Sequence, residues 1–309
     1  MFFGTPDFAV PSLEALVEAG HEVVLVVTNP DRPRGRKGTP CPPEVKVCAE
    51  RLGLPVLQPE SMKDVELRSR LTELAPELGV VVAYGHFLPR ALRRLPERGM
   101  INVHGSLLPR YRGASPITAA LLNGDAEAGC TIIEVARRMD AGRMLGKASL
   151  PVAADETGGS LFEKLAPLGA RLLVETIARI EAGTVVREEQ DESLATESGK
   201  ISKADGRVDW SASAVELERR IRAFTPWPGV AFRFGGKRVT VERASPAESE
   251  LAGEPGELLE IRDEALVVAT GAGAIGLEVV KPAGKRAMSG VAFARGRRLE
   301  PGVKLENGS

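Results

Sequence analysis

Along the first half of the chain, short continuous apolar runs take turns with amphipathic stretches. Glu22–Val27, Val56–Gln58, Leu78–Ala83 and Met100–Val103 read as strands. Pro43–Leu52 and the stretch ending at Leu71–Leu74 carry helical spacing. Runs that are apolar throughout, rather than alternating, predict burial on both faces, as in a parallel sheet. With helices between them, the economical arrangement is an α/β fold: a doubly wound, mostly parallel, Rossmann-like sheet with ligands outside the carboxyl ends of its strands. Thr5-Pro6, Thr28-Asn29-Pro30, Tyr84-Gly85 and His104-Gly105 all follow predicted strands and so should line that one edge. Thr131–Val135 and Lys147–Val152 add two strands. Leu161–Ala182 reads as a long helix, expected to break at Pro167-Leu168-Gly169.

Residues 184–203 are polar and acid-rich without periodicity, which predicts a linker over the surface. The period then changes. Ala214–Phe224 is helical, and Pro226-Trp227-Pro228-Gly229 stops it. Val230–Phe234, Arg238–Ala244, Glu257–Ile261, Ala265–Ala269 and Ile275–Val280 follow as short strands with glycine-rich turns, the pattern of a small all-β domain or barrel. The chain thus divides into 1–183, a linker at 184–203, and 204–309.

Composition narrows the class. An apolar fraction of 43% over 309 residues is ample for two cores, and 4% aromatics makes them largely aliphatic. No apolar run is long enough to span a membrane, and no export signal is evident, so a cytoplasmic protein is expected. Three cysteines fit a reducing compartment; Cys41 and Cys48 lack nearby histidines, so no metal site is expected. A net charge of −1 argues against a globally basic nucleic-acid binder. The charge is clustered, however, with Arg32, Arg34, Arg36 and Lys37 in one Gly/Pro-rich segment, and local patches suffice to meet phosphates.

The chemistry concentrates in Ile101-Asn102-Val103-His104-Gly105-Ser106-Leu107-Leu108-Pro109. Alternate strand residues share a face, so Asn102 and His104 stand side by side at a carboxyl end. An amide donor beside an imidazole suits attack of an amine on a carbonyl: one holds the developing oxyanion, the other handles a proton. Asp140, in Met139-Asp140-Ala141-Gly142, supplies a carboxylate that can orient the imidazole. The three make an acyl-transfer site without a protein nucleophile.

The Asn-x-His pair, the following Ser-Leu-Leu-Pro and the later Asp resemble the folate-dependent formyltransferases. Gly4-Thr5-Pro6-Asp7-Phe8-Ala9, Pro30-Asp31-Arg32-Pro33, Val80–Gly85, Arg222–Pro228 and Pro282–Met288 narrow the resemblance to the methionyl-tRNA formyltransferases, nearly end to end. The resemblance implies catalytic roles for Asn102, His104 and Asp140. It implies 10-formyltetrahydrofolate as formyl donor, placed between the Val80–Gly85 strand end (Val82, Ala83, Tyr84 and Gly85) and the turn of Ser106, Leu107, Leu108 and Pro109. It also implies initiator methionyl-tRNA as partner, met by Arg32, Arg34, Arg36 and Lys37. The second domain becomes an OB-like barrel, whose Lys237, Arg238, Lys285 and Arg286 would extend the tRNA surface. The absence of an exposed apolar stripe suggests a monomer.

Three rival readings share this frame: formylation of another amine such as an amino sugar or a glycinamide, folate hydrolysis with water in place of the amine, and a tRNA-binding module without activity. The retained Asn102, His104 and Asp140 argue against the last, and the basic loop and barrel argue against the first. The chain departs from the family pattern in its short first strand, in His86, Ala141 and Arg143, and in Glu197-Ser198.

Overall fold

A computed structural model describes residues 1–34 and 39–308; the side chains of Arg34 and Glu66 lie outside the description. The described residues form two compact units: 1–116, 127–151 and 162–199 in one, and 117–126, 152–161 and 200–308 in the other.

The first unit is built on a seven-stranded sheet. In spatial order its strands are Val56–Leu57, Val26–Val27, Phe2–Gly4, Gly79–Val82, Met100–His104, Glu127–Glu134 and Met144–Pro151. The first five are parallel; Glu127–Glu134 runs against them, and Met144–Pro151 pairs antiparallel with it at the edge. The Phe2–Gly4 strand, short as expected, lies between two neighbours and is fully buried. Chain order reverses between Phe2–Gly4 and Gly79–Val82. In such folds that reversal opens a crevice outside the strand ends, so Thr5-Pro6 and Ala83-Tyr84-Gly85 flank it and His104 ends the next strand. Phe3, Leu25, Val27, Leu67, Leu71 and Tyr84 pack together on one face.

Two expectations are corrected here. The Glu22–Val27 run pairs as strand only at Val26–Val27, the two positions that face Phe2-Phe3 on one side and Val56-Leu57 on the other. The helix Gly158–Glu181 continues through Pro167 instead of breaking. Proline removes one helical hydrogen bond, but buried Leu165, Leu172, Leu173 and Ile177 keep both halves on one packed face. Gly169 fits against the strand: a Cβ there would lie 2.9 Å from Val103.

In the second unit, Val230–Phe234, Lys237–Ala247, Ala274–Pro282, Ala265–Ala269 and Leu258–Arg262 form an antiparallel sheet in that order, with Met288–Ser289 paired alongside Ala274–Pro282. The chain's last residues join its two edges. Gly302 N–H donates to Leu258 O, Leu258 N–H to Val303 O and Leu305 N–H to Gly256 O, each 2.8 Å, while Glu306 and Arg233 exchange backbone bonds of 3.1 Å. The result is a small closed, barrel-like domain, as the family resemblance implied; periodicity alone predicted only an all-β domain. The helix Gly290–Arg297 and the closing segment carry no strong pattern and were not expected. The helix Ala214–Ala223 opens on a reciprocal Ser213–Glu216 capping box.

Candidate active site

The Met100–His104 strand pairs parallel with Gly79–Val82 and antiparallel with Glu127–Glu134. Alternation puts Asn102 and His104 on one face. His104 is 5% exposed, and its Nε2 lies 2.9 Å from the Tyr111 carbonyl. A carbonyl only accepts, so Nε2 carries the proton. Nδ1 lies 3.5 Å from Asp140 Oδ2, an ion-pair distance rather than a tight hydrogen bond. Asp140 Oδ2 is itself fixed by the Gly113 N–H at 2.8 Å. The Asn102 amide is partly exposed, and no hydrogen bond engages it among the described residues. A held imidazole thus stands on the same strand face as an uncommitted amide donor.

Local sequence explains how the loops reach this arrangement. Thr131, fully buried opposite His104, donates to Ser106 O (2.7 Å) and accepts from Leu108 N–H (3.1 Å). Ser106 Oγ donates to Arg110 O at 2.7 Å. Leu108 is buried with Ile133 and Met144. The 106–110 turn is therefore braced from within before it delivers Tyr111 and Gly113. Tyr111 and Asp140 both hold positive φ, 62° and 50°, which costs a non-glycine residue about 1 kcal/mol or more unless its surroundings compensate. Gly142 cannot carry a side chain: a Cβ would meet the Glu134 carbonyl oxygen at 1.7 Å.

The profile of the formyl transferase family matches residues 1–177, and that of the formyl transferase C-terminal domain matches residues 200–298. A methionyl-tRNA formyltransferase of Heliobacterium modesticaldum is 48% identical over 313 residues, covering 99% of both chains. One from Geobacter metallireducens is 42% identical over 305 residues, covering 99% of this chain and 97% of its own. The chain belongs to the methionyl-tRNA formyltransferase family. In fold it is similar to an N-formyltransferase of Helicobacter canadensis solved with folinic acid and dTDP-3-aminofucose, at TM-score 0.65 and 17% identity, covering 89% of this chain and 97% of that one.

The remaining predicted site residues of this family member divide by exposure. In the folate set, Ala83 and Gly85 are exposed and Leu107 and Pro109 partly so, while Val82, Tyr84, Ser106 and Leu108 are buried. The Tyr84 ring packs edge-on against Phe3, 5.4 Å between centroids, its hydroxyl donates to Met62 Sδ, and burial pushes its pKa up. The side chains of Tyr84 and Leu108 are therefore core residues, and only their backbone groups are left to meet a ligand.

Among the basic residues, Arg36 and Lys37 lie outside the described residues, as does the Arg34 side chain. Their segment pairs with itself as an antiparallel ribbon, Arg32–Arg34 with Thr39–Cys41. Arg32 is 71% exposed and 3.7 Å from Glu60, a contact worth little in solvent. Lys237, Lys285 and Arg286 are exposed. Arg238 donates to Pro228 O and Gly229 O, at 3.2 and 3.0 Å, and so also holds a turn. Among the described residues no group of His, Cys, Asp and Glu is arranged to hold a metal, and no helix is long and apolar enough to cross a membrane.

Sequence reasoning missed the stretch 188–198. Gln190 Nε2 donates to the carbonyls of Asp140 (2.7 Å) and Gly142 (2.8 Å). Its Oε1 accepts from Arg112 Nε (3.0 Å) and Nη2 (2.7 Å). Arg112, 4% exposed, forks onto Glu192 at 2.9 and 3.1 Å, and Arg138 adds a 2.7 Å bond. The hydrogen-bonded Arg112 guanidinium, with help from Arg138, pulls the Glu192 pKa down to about 2. A run of Glu, Gln and Asp reads as a solvated linker, and only the buried arginine opposite it shows otherwise.

Proposed function

We propose that this chain transfers the formyl group of 10-formyltetrahydrofolate to the α-amine of initiator methionyl-tRNA, giving N-formylmethionyl-tRNA and tetrahydrofolate. One observation carries the reading: a buried imidazole held between a carbonyl and a carboxylate shares a strand face with a free amide, in a chain that matches methionyl-tRNA formyltransferases along its whole length.

In this reading Asn102 donates to the formyl oxygen as the amine attacks and charge develops there. With Nε2 tied to Tyr111, Nδ1 is the His104 nitrogen that serves the reaction, and Asp140 balances its charge when it carries a proton. The new C–N bond forms at the amine and the bond to N10 breaks. The amine's proton leaves by way of Nδ1 and ends on N10. Holding the two reactants in contact supplies much of the remaining acceleration. Ala83, Gly85, Leu107 and Pro109 present the exposed surface for the folate, with the backbone of Val82, Tyr84, Ser106 and Leu108 beside it. Chemistry is assigned to residues 1–183 and tRNA recognition to 204–309, joined through 184–203. The protein acts as a cytoplasmic monomer.

The deciding experiment compares formylation of charged initiator and elongator methionyl-tRNA by the purified protein with 10-formyltetrahydrofolate. Formylation of the initiator alone is expected. Folate consumption with neither tRNA formylated would move the reading to another amine or to hydrolysis.

The tRNA surface makes a separate prediction. Lys285→Glu with Arg286→Glu should raise KM for tRNA and leave KM for folate unchanged. The slope of log KM against log salt should also shrink by about one for each phosphate that is no longer neutralised. An unaltered salt slope would remove these residues from the tRNA surface.

A further inference from the structure

The stretch from Glu188 to Ser198 touches both loops that build the site. On one side, Glu197–Ser198 pairs in parallel with Arg112–Gly113, and Thr196 Oγ1 accepts from Tyr111 N–H at 2.8 Å. Arg112 N–H donates to Thr196 O at 2.8 Å, and Ala114 N–H to Ser198 O at 3.0 Å. This is the loop whose Tyr111 carbonyl holds His104 and whose Gly113 N–H holds Asp140. On the other side, Glu188 and Met144 exchange backbone bonds of 2.8 and 2.9 Å, and Gln190 bonds the turn that carries Asp140.

Gln190 is the residue where the two sides meet. Both its N–H bonds and both acceptor positions of its oxygen are engaged, and it is 9% exposed. Turning the amide over would set its oxygen against two carbonyls and its NH2 against a guanidinium, so the surroundings allow one orientation only. The bonds fall on the backbone carbonyls of Asp140 and Gly142, within a turn where Asp140 holds positive φ. Such a conformation persists where the surroundings over-determine it.

We propose that Gln190, seated by Arg112, is a positioning residue for formyl transfer: it sets the Asp140 turn, and through it the carboxylate beside His104. The proposal rests on the reading that Asp140 and His104 form the catalytic site. Gln190 is 9% exposed and all its polar positions are engaged within the protein, so its loss should act on turnover and leave binding in place. A displacement near 1 Å in a reacting constellation costs about 100-fold. Gln190→Ala should therefore lower kcat by roughly 10- to 100-fold, with KM for folate and for tRNA within about two-fold of the parent.

The test is a double-mutant cycle in the full-length protein: Gln190→Ala, Asp140→Ala and the pair, with kcat and both KM values measured for each. If Gln190 works through Asp140, its substitution costs little once Asp140 is gone. The same fold-loss in both backgrounds overturns the proposal and leaves the catalytic reading intact. An Asp140→Ala protein with parental kcat overturns both. Should Gln190→Ala fail to fold, Gln190→Glu takes its place: it keeps the acceptor for Arg112 and loses donors to the two carbonyls, so parental kcat in that variant also overturns the proposal.

Discussion

His104→Ala is expected to lower kcat by about 10³-fold, with KM for the folate changed little, because general acid–base groups contribute roughly 10²–10⁴ and His104 is the group proposed for that role. The ring is 5% exposed and tied through Nε2 to a backbone carbonyl, so it cannot swing away, and water cannot easily take its place. Asn102→Ala should cost about 10²–10³ in kcat, the usual loss for one oxyanion donor. Its amide is uncommitted among the described residues, so truncation leaves no buried partner stranded, and stability should hold. The two losses should be less than additive, since the proposed mechanism has both residues serve one transition state. Single-turnover formylation with saturating substrates measures them. An Asn102→Ala enzyme turning over at the parental rate would remove the amide from the chemistry.

The second large effect concerns the closing segment of the C-terminal unit. Leu305 is 1% exposed, and the residues around it bond to both sheet edges. Leu305→Ala should destabilise that unit by about 2–5 kcal/mol. For a unit of this size that lowers its unfolding midpoint by roughly 10 °C or more. Deleting residues 303–308 should do worse, because Val230–Phe234 and Leu258–Arg262 would each lose backbone partners and become open edges able to pair with other chains. Calorimetry would follow the midpoint and light scattering the aggregation. A truncated protein that stays monodisperse with an unshifted midpoint would show that the barrel does not depend on this closure.

Much of the first unit was legible because its signals are local. The continuous apolar runs at Leu78–Ala83 and Met100–Val103 became buried parallel strands, and the alternation of Asn102 and His104 needed only the pleat of a strand. Long-range pairings and backbone partners were less accessible. The helix through Pro167 survives because packing outweighs one missing hydrogen bond, a balance that propensity alone does not reveal. Tyr84 was placed by its position after a strand, where backbone groups could meet a folate; that its ring fills the core beside Phe3 is a tertiary contact that position does not reveal.

By itself, the sequence determined the α/β class of the first unit, the all-β class of the second, and the chemical types gathered near Asn102, His104 and Asp140, since periodicity and residue chemistry act over a few positions. Only the tertiary structure decided that Tyr111 O and Gly113 N–H hold the imidazole and carboxylate, that Gln190 joins the two loops across 50 residues of chain, and that the last residues close the barrel. Those bonds are made by backbone groups that every residue carries, or by a polar side chain whose burial depends on a partner remote in sequence.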